Sequence, residues 1–143
     1  MDPRDFQKLA AKLASGQSPS EIRTAISRAY YSVFNVGVEL LKGIGLRVSE
    51  GPSGHGEVEH RLSNSANINV EKIGSQLSDL RSRRIRADYR LHNKKIENPK
   101  NAKALVQQAH KMIQTLDTCF TGPHREEIVS AIQEYLQKIV PGH

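Results

Sequence analysis

Residues 73–95 read IGSQLSDLRSRRIRADYRLHNKK. Ile73, Leu77, Leu80, Ala87 and Leu91 recur at helical spacing, which predicts one helix over 73–91 running into a basic tip. Arg84 falls on the same stripe, where a Leu would be expected. A buried charge is costly without a partner. Asp88 lies one turn later on that face and suits an i,i+4 pair, and His92 lies a further turn on. The spacing therefore predicts a polar line of Arg84, Asp88 and His92 within or beside an apolar stripe.

Between 81 and 95, Arg81, Arg83, Arg84, Arg86, Arg90, Lys94 and Lys95 are opposed only by Asp88. Seven cations against one acid leave +6, which equals the formal charge of all 143 residues. The remainder is neutral, so the basicity is local. A local basic cluster suits an anionic partner such as RNA, DNA or a nucleotide. The plainer reading is a solvated helix face with loose counterions.

The length fits one domain with a real hydrophobic core. The single Cys119 excludes an intramolecular disulfide and any Cys-based zinc site. No apolar run is long enough to span a bilayer, and the charged start MDPRDFQKLA has no signal-peptide core, so a cytoplasmic protein is expected. The absence of Trp and the low aromatic content argue against a base-stacking platform.

Outward from the central stretch, the chain reads as helices separated by clear stops. Asp2-Pro3 opens the first, with Phe6, Leu9, Ala10 and Leu13 on its apolar side. Ser18 or Ser20 caps a long second helix over 19–42, with Glu21 in its first turn. Ile22, Ile26, Ala29, Val33, Val36 and Leu40 form one stripe on it, and Tyr30, Phe34, Val38 and Leu41 a second. Such a wide apolar arc predicts a central helix. Tyr30 and Tyr31 read as core or rim packing with a wet hydroxyl.

The Gly/Pro/Ser-rich residues 43–56 lack the Gly-Lys-Ser/Thr of a phosphate loop and read as a flexible connection. A short helix over 55–64 and a polar stretch over 65–69 follow. His55 and His60 have the wrong spacing for one helical face, so no metal site is expected there. Asn98-Pro99 starts a helix that runs to about Phe120, and Thr121-Gly122-Pro123 ends it. A last helix over 124–139 carries Glu126 and Glu127 in its first turn. No stretch reads as a strand. The expectation is an all-α, up-down four-helix bundle over 1–121, with a short helix in the 43–70 connection and a C-terminal helical extension over 122–143 packing on the same domain.

Three patterns occur in order: Ile26-Ser27-Arg28-Ala29-Tyr30-Tyr31-Ser32-Val33-Phe34; Pro52 followed by His55; and Leu80 followed by Arg84-Ile85-Arg86-Ala87-Asp88-Tyr89. Together they closely resemble the HEPN domain family, the nucleotide-binding domains of higher eukaryotes and prokaryotes, over residues 6–120. The resemblance implies a four-helix bundle that forms a homodimer. Many members look like metal-independent ribonucleases with an Arg-x(4–6)-His motif, and two copies of it meet across the dimer in a basic cleft. Such members act as toxins of toxin–antitoxin pairs or as defence effectors. Others are non-catalytic nucleotide binders or partners of a small nucleotidyltransferase.

Arg86 and His92, five residues apart, satisfy that motif. Arg84 matches the Arg of the family's Arg-x-x-Ala-Asp-Tyr run, and counted from it the His positions hold Tyr89, Arg90 and Leu91. The catalytic candidates are thus Arg86, His92, Arg84 and Asp88. Imidazoles exchange protons near neutrality and guanidinium groups stabilise a crowded phosphate, so His92 suits acid–base work and Arg86 or Arg84 charge stabilisation. Asp88 would orient Arg84 or His92. Arg81, Arg83, Arg90, Lys94 and Lys95 are the candidate phosphate contacts. No cofactor and no metal is expected. Two readings follow: a metal-independent endoribonuclease, and a non-catalytic module that binds nucleotide or nucleic acid or docks a nucleotidyltransferase.

Overall fold

The computed structural model describes residues 1–139 and is all-helical, with no strand among them. Its elements are α1 (Arg4–Ala14), α2 (Pro19–Gly43), α3 (Ser53–Ser63), α4 (Ile68–Tyr89), α5 (Pro99–Thr121) and α6 (Arg125–Ile139), with a 3-10 turn at Lys94–Ile96. The chain divides into two compact units. The first joins Met1–Val36 to Leu77–Ile113, and the second joins Gly37–Gln76 to the described residues from Gln114 on.

The helix starts follow the capping chemistry of the sequence. Asp2 Oδ1 accepts from the Arg4 amide at 2.9 Å, in front of α1. At α2, Ser18 is the cap: its hydroxyl accepts from the Glu21 amide at 3.3 Å, and Glu21 Oε1 accepts from the Ser18 amide at 3.4 Å. This reciprocal pair satisfies two donors that the first turn leaves open. Asn98 Oδ1 does the same for α5, accepting from the Lys100 amide at 2.9 Å. The boundaries of α4 differ from the expected 73–91. Asn67 Oδ1 accepts from the amides of Asn69 (3.1 Å) and Val70 (3.2 Å), so the helix starts at Ile68 and absorbs part of the polar stretch.

In the first unit, Ile22, Ile26, Ala29, Tyr30 and Val33 of α2 are essentially sealed from solvent, as are Leu77, Leu80 and Ala87 of α4. Tyr30 is wholly buried, so the expected wet hydroxyl does not apply to it, whereas Tyr31 is half-buried. Leu9 is 42% exposed and does not belong to the buried side of α1, whereas Gln7 does. Burial of the Gln7 amide is offset by bonding: Nε2 donates to the Val106 carbonyl at 3.0 Å, and Oε1 accepts from Ser32 Oγ at 3.4 Å.

In the second unit, Val58 and Leu62 of α3 and Val70 and Ile73 of α4 are buried. The 44–52 connection is tied down more than its composition suggests. Glu57 accepts from the Ser49 hydroxyl at 2.6 Å and from the Ser49 amide at 2.9 Å, and Arg61 donates to the Arg47 carbonyl at 2.8 Å. The two Ser49 bonds favour the ionised form of Glu57 and hold its carboxyl below the usual carboxylate range. Of the extension expected over 122–143, α6 packs against α3 within this unit, and residues 140–143 lie outside the described residues.

Gly74 lets α4 cross α3 closely. A Cβ there would stand 2.9 Å from both the Glu59 carbonyl oxygen and the Ser63 amide nitrogen. Helix propensity favours Ala over Gly by about 1 kcal/mol, but pushing backbone off backbone costs roughly 1–3 kcal/mol. Gly74→Ala is therefore expected to lower stability by up to about 2 kcal/mol, read from urea unfolding. A gain in stability would show that the crossing relaxes freely.

Candidate nucleic-acid interface

The sequence placed Arg84, Asp88 and His92 on one line. The structure keeps the first two together and releases the third. Arg84 is buried, with its guanidinium carbon 5.4 Å from the Tyr30 ring centre and 5.2 Å from that of Tyr31. Stacking on aromatic faces suits a planar, weakly hydrated cation. Its Nη1 lies 3.7 Å from Asp88 Oδ2, and Ser27 Oγ donates to the same oxygen at 3.1 Å. Arg84 Nε is buried without an acceptor. Arg84 and Asp88 thus form a structural pair against α2.

α4 ends at Tyr89, so His92 falls in the following turn and not on a further helical turn. The expected Asp88–His92 contact is replaced by Asp88 with Ser27. Leu91, read as the last member of the stripe, is 66% exposed. The helix stops because the chain turns at 91–93, where the Asn93 amide donates to the Arg90 carbonyl at 3.0 Å. Asn93 Oδ1 then caps the 3-10 turn by accepting from the Lys95 amide at 3.2 Å. His92 is exposed there.

Arg86, Tyr89, Arg90, Leu91, His92 and Asn93 line an open groove of about 600 Å³. Arg86, Arg90, Lys94 and Lys95 are all exposed, and among the described residues no ion pair engages them. The other two candidate phosphate contacts differ. Arg83 Nε is held by Asp79 at 3.3 Å, and Arg81 is half-buried with a partner of its own. The structure therefore brings Arg86, Arg90 and His92 to one groove, sets Lys94 and Lys95 on the turn that follows, and leaves Arg84, Asp88 and Arg83 in ion pairs of their own.

Arg23 and Glu97, both outside the 73–95 stretch, also bond to one another beside this groove. Arg23 of α2 is 8% exposed, and its Nε donates to Glu97 Oε2 at 2.7 Å. Its Nη1 donates to the Ala87 carbonyl at 2.9 Å, and its Nη2 to the Asn93 carbonyl at 3.0 Å. Arg23 is not one of the stripe residues read from the spacing of the second helix. The only local signal was an Arg flanked by Ile22 and close to Ile26, both buried. Arg28, on the same helix, lies over the rings of Phe6 (5.1 Å) and Tyr31 (4.8 Å).

Comparison with models of protein families, with curated proteins and with solved structures finds no match. No helix among the described residues is long and apolar enough to cross a membrane.

Proposed function

We propose that this protein is a HEPN-type, metal-independent endoribonuclease of the toxin–antitoxin or defence kind, whose helices form a four-helix bundle and whose RNA lies along the 86–95 tip. The observation that carries the reading is the set of exposed, unpaired cations: Arg86 and Arg90 in the groove that also holds His92, and Lys94 and Lys95 on the turn that follows. Salt-paired cations would be spent on the protein's own acids. These are left for an external polyanion.

In this reading His92 removes the proton of an RNA 2′-hydroxyl, and the 2′-oxygen forms a bond to the adjacent phosphorus. The bond from phosphorus to the 5′-oxygen breaks, and the leaving oxygen takes a proton. Arg86 stabilises the negative charge on the phosphoryl oxygens as the fifth ligand adds. A homodimer supplies a second His92 to serve as the acid. The products are a 2′,3′-cyclic phosphate and a free 5′-hydroxyl. Incubation of purified protein with single-stranded RNA in EDTA tests this: products with cyclic phosphate ends are expected, and intact RNA would overturn it.

A second reading is favoured by one specific observation. Arg84, which aligns with the Arg of the family run, is buried and held by Asp88. A protein that keeps only that structural pair would bind RNA or nucleotide at the tip without cutting it, or dock a nucleotidyltransferase there. Retained binding with intact RNA is the result that would favour it.

A further inference from the structure

The end of α4 is built in an unusual way. Its last carbonyls lack partners inside the helix. Such carbonyls are commonly met by a glycine turn or by Lys and Arg side chains of the last turn itself. Here Arg90 follows Tyr89 in place of a glycine, and the nearby cations Arg86 and Arg90 are exposed. Arg23 takes over the task from α2. Besides its bonds to Ala87 and Asn93, Nη1 approaches the carbonyls of Arg86 and Arg90 at 3.3 Å each, and Nη2 that of Leu91 at 3.4 Å. One planar fork thus spans the last turn of α4 and the turn that carries His92. Glu97, just beyond the 3-10 turn, fixes the fork from the other side at 2.7 Å.

We infer that Arg23 and Glu97 are a positioning pair that holds residues 90–96 in one conformation, so that Arg86, Arg90 and His92 stay unengaged and aligned for RNA. The inference rests on the ribonuclease reading for its functional half. Its structural half stands on the bonds themselves. Arg23→Lys would keep the charge but lose the fork, because an ammonium is a compact donor that cannot span carbonyls from Arg86 to Asn93. Glu97→Gln would keep the shape and weaken the charged bond.

The test is amide hydrogen exchange combined with steady-state RNA cleavage on the full chain. The Arg90 amide donates to the Arg86 carbonyl at the end of α4, and the Asn93, Lys95 and Glu97 amides donate to Arg90, Asn93 and Lys94 inside the segment, so their protection reports on it. Arg23→Lys is expected to speed exchange at these amides about tenfold or more while amides of α1 and the middle of α5 keep their rates. It should lower kcat about tenfold with KM changed little, because phosphate attraction persists while alignment is lost. Glu97→Gln should move the same amides and kcat in the same direction, about threefold, and it decides the matter if Arg23→Lys does not fold. Unchanged protection over 90–97, or faster exchange spread evenly over the chain, would overturn the positioning role whatever the RNA assay shows. Local loss of protection in a protein that neither binds nor cuts RNA would overturn the ribonuclease reading, and the functional half of this inference with it.

Discussion

His92→Ala is expected to lower RNA cleavage in EDTA by about 10²–10⁴-fold, the usual contribution of one general acid or base. Folding stability should change by less than about 0.5 kcal/mol, as for an exposed surface position. The two expectations follow from one placement. His92 is exposed, lies past the end of α4, and lines the groove with Arg86 and Arg90. Nothing in the fold leans on its side chain, so a loss of rate cannot be assigned to unfolding. Arg86→Ala should cost about 10²–10³-fold, as removal of one charge-stabilising donor does. Equal cleavage by wild type and His92→Ala would mean that any activity comes from elsewhere, and would leave the tip as a binding surface only.

Arg84→Ala should act the opposite way, with a large effect on stability. Removing one member of a buried ion pair costs roughly 3–5 kcal/mol. Asp88 is 31% exposed and keeps its bond from Ser27, so the charge left behind is partly hydrated. Lost contact with the rings of Tyr30 and Tyr31 adds to the cost. A net loss of about 3 kcal/mol is therefore expected in urea unfolding. Arg84→Met fills much of the same space and should lose less. It should also retain RNA cleavage, because Arg86 and not Arg84 reaches the groove. A stable Arg84→Ala protein without cleavage would reverse these assignments and make Arg84 the catalytic arginine.

Much of the fold was legible because its determinants are local. Ser18 with Glu21 and Asn98 before Pro99 announced the starts of α2 and α5 by capping chemistry that acts within three residues. The apolar arc of α2 is buried at Ile22, Ile26, Val33 and Val36, as its spacing required. The end of α4 was not legible. By periodicity Leu91 continues the stripe. The chain turns away there, and Arg23, far off in sequence, donates to the carbonyls of the turn. That displacement took His92 off the helix and away from Asp88. The cationic tip was legible as a charge count, but its division was not: only the structure separates free Arg86 and Arg90 from Arg83, held by Asp79, and Arg84, held by Asp88.

The central claim is that the free cations at the end of α4 face RNA phosphates. The most direct measurement is the salt dependence of single-stranded RNA binding by wild type and by a variant carrying Arg86→Gln, Arg90→Gln, Lys94→Gln and Lys95→Gln. With each neutralised phosphate contributing about 0.7 to the log–log slope for single strands, the wild type is expected to show a slope of roughly −3 and the variant one near zero. Superimposable slopes and affinities for the two proteins would contradict the account.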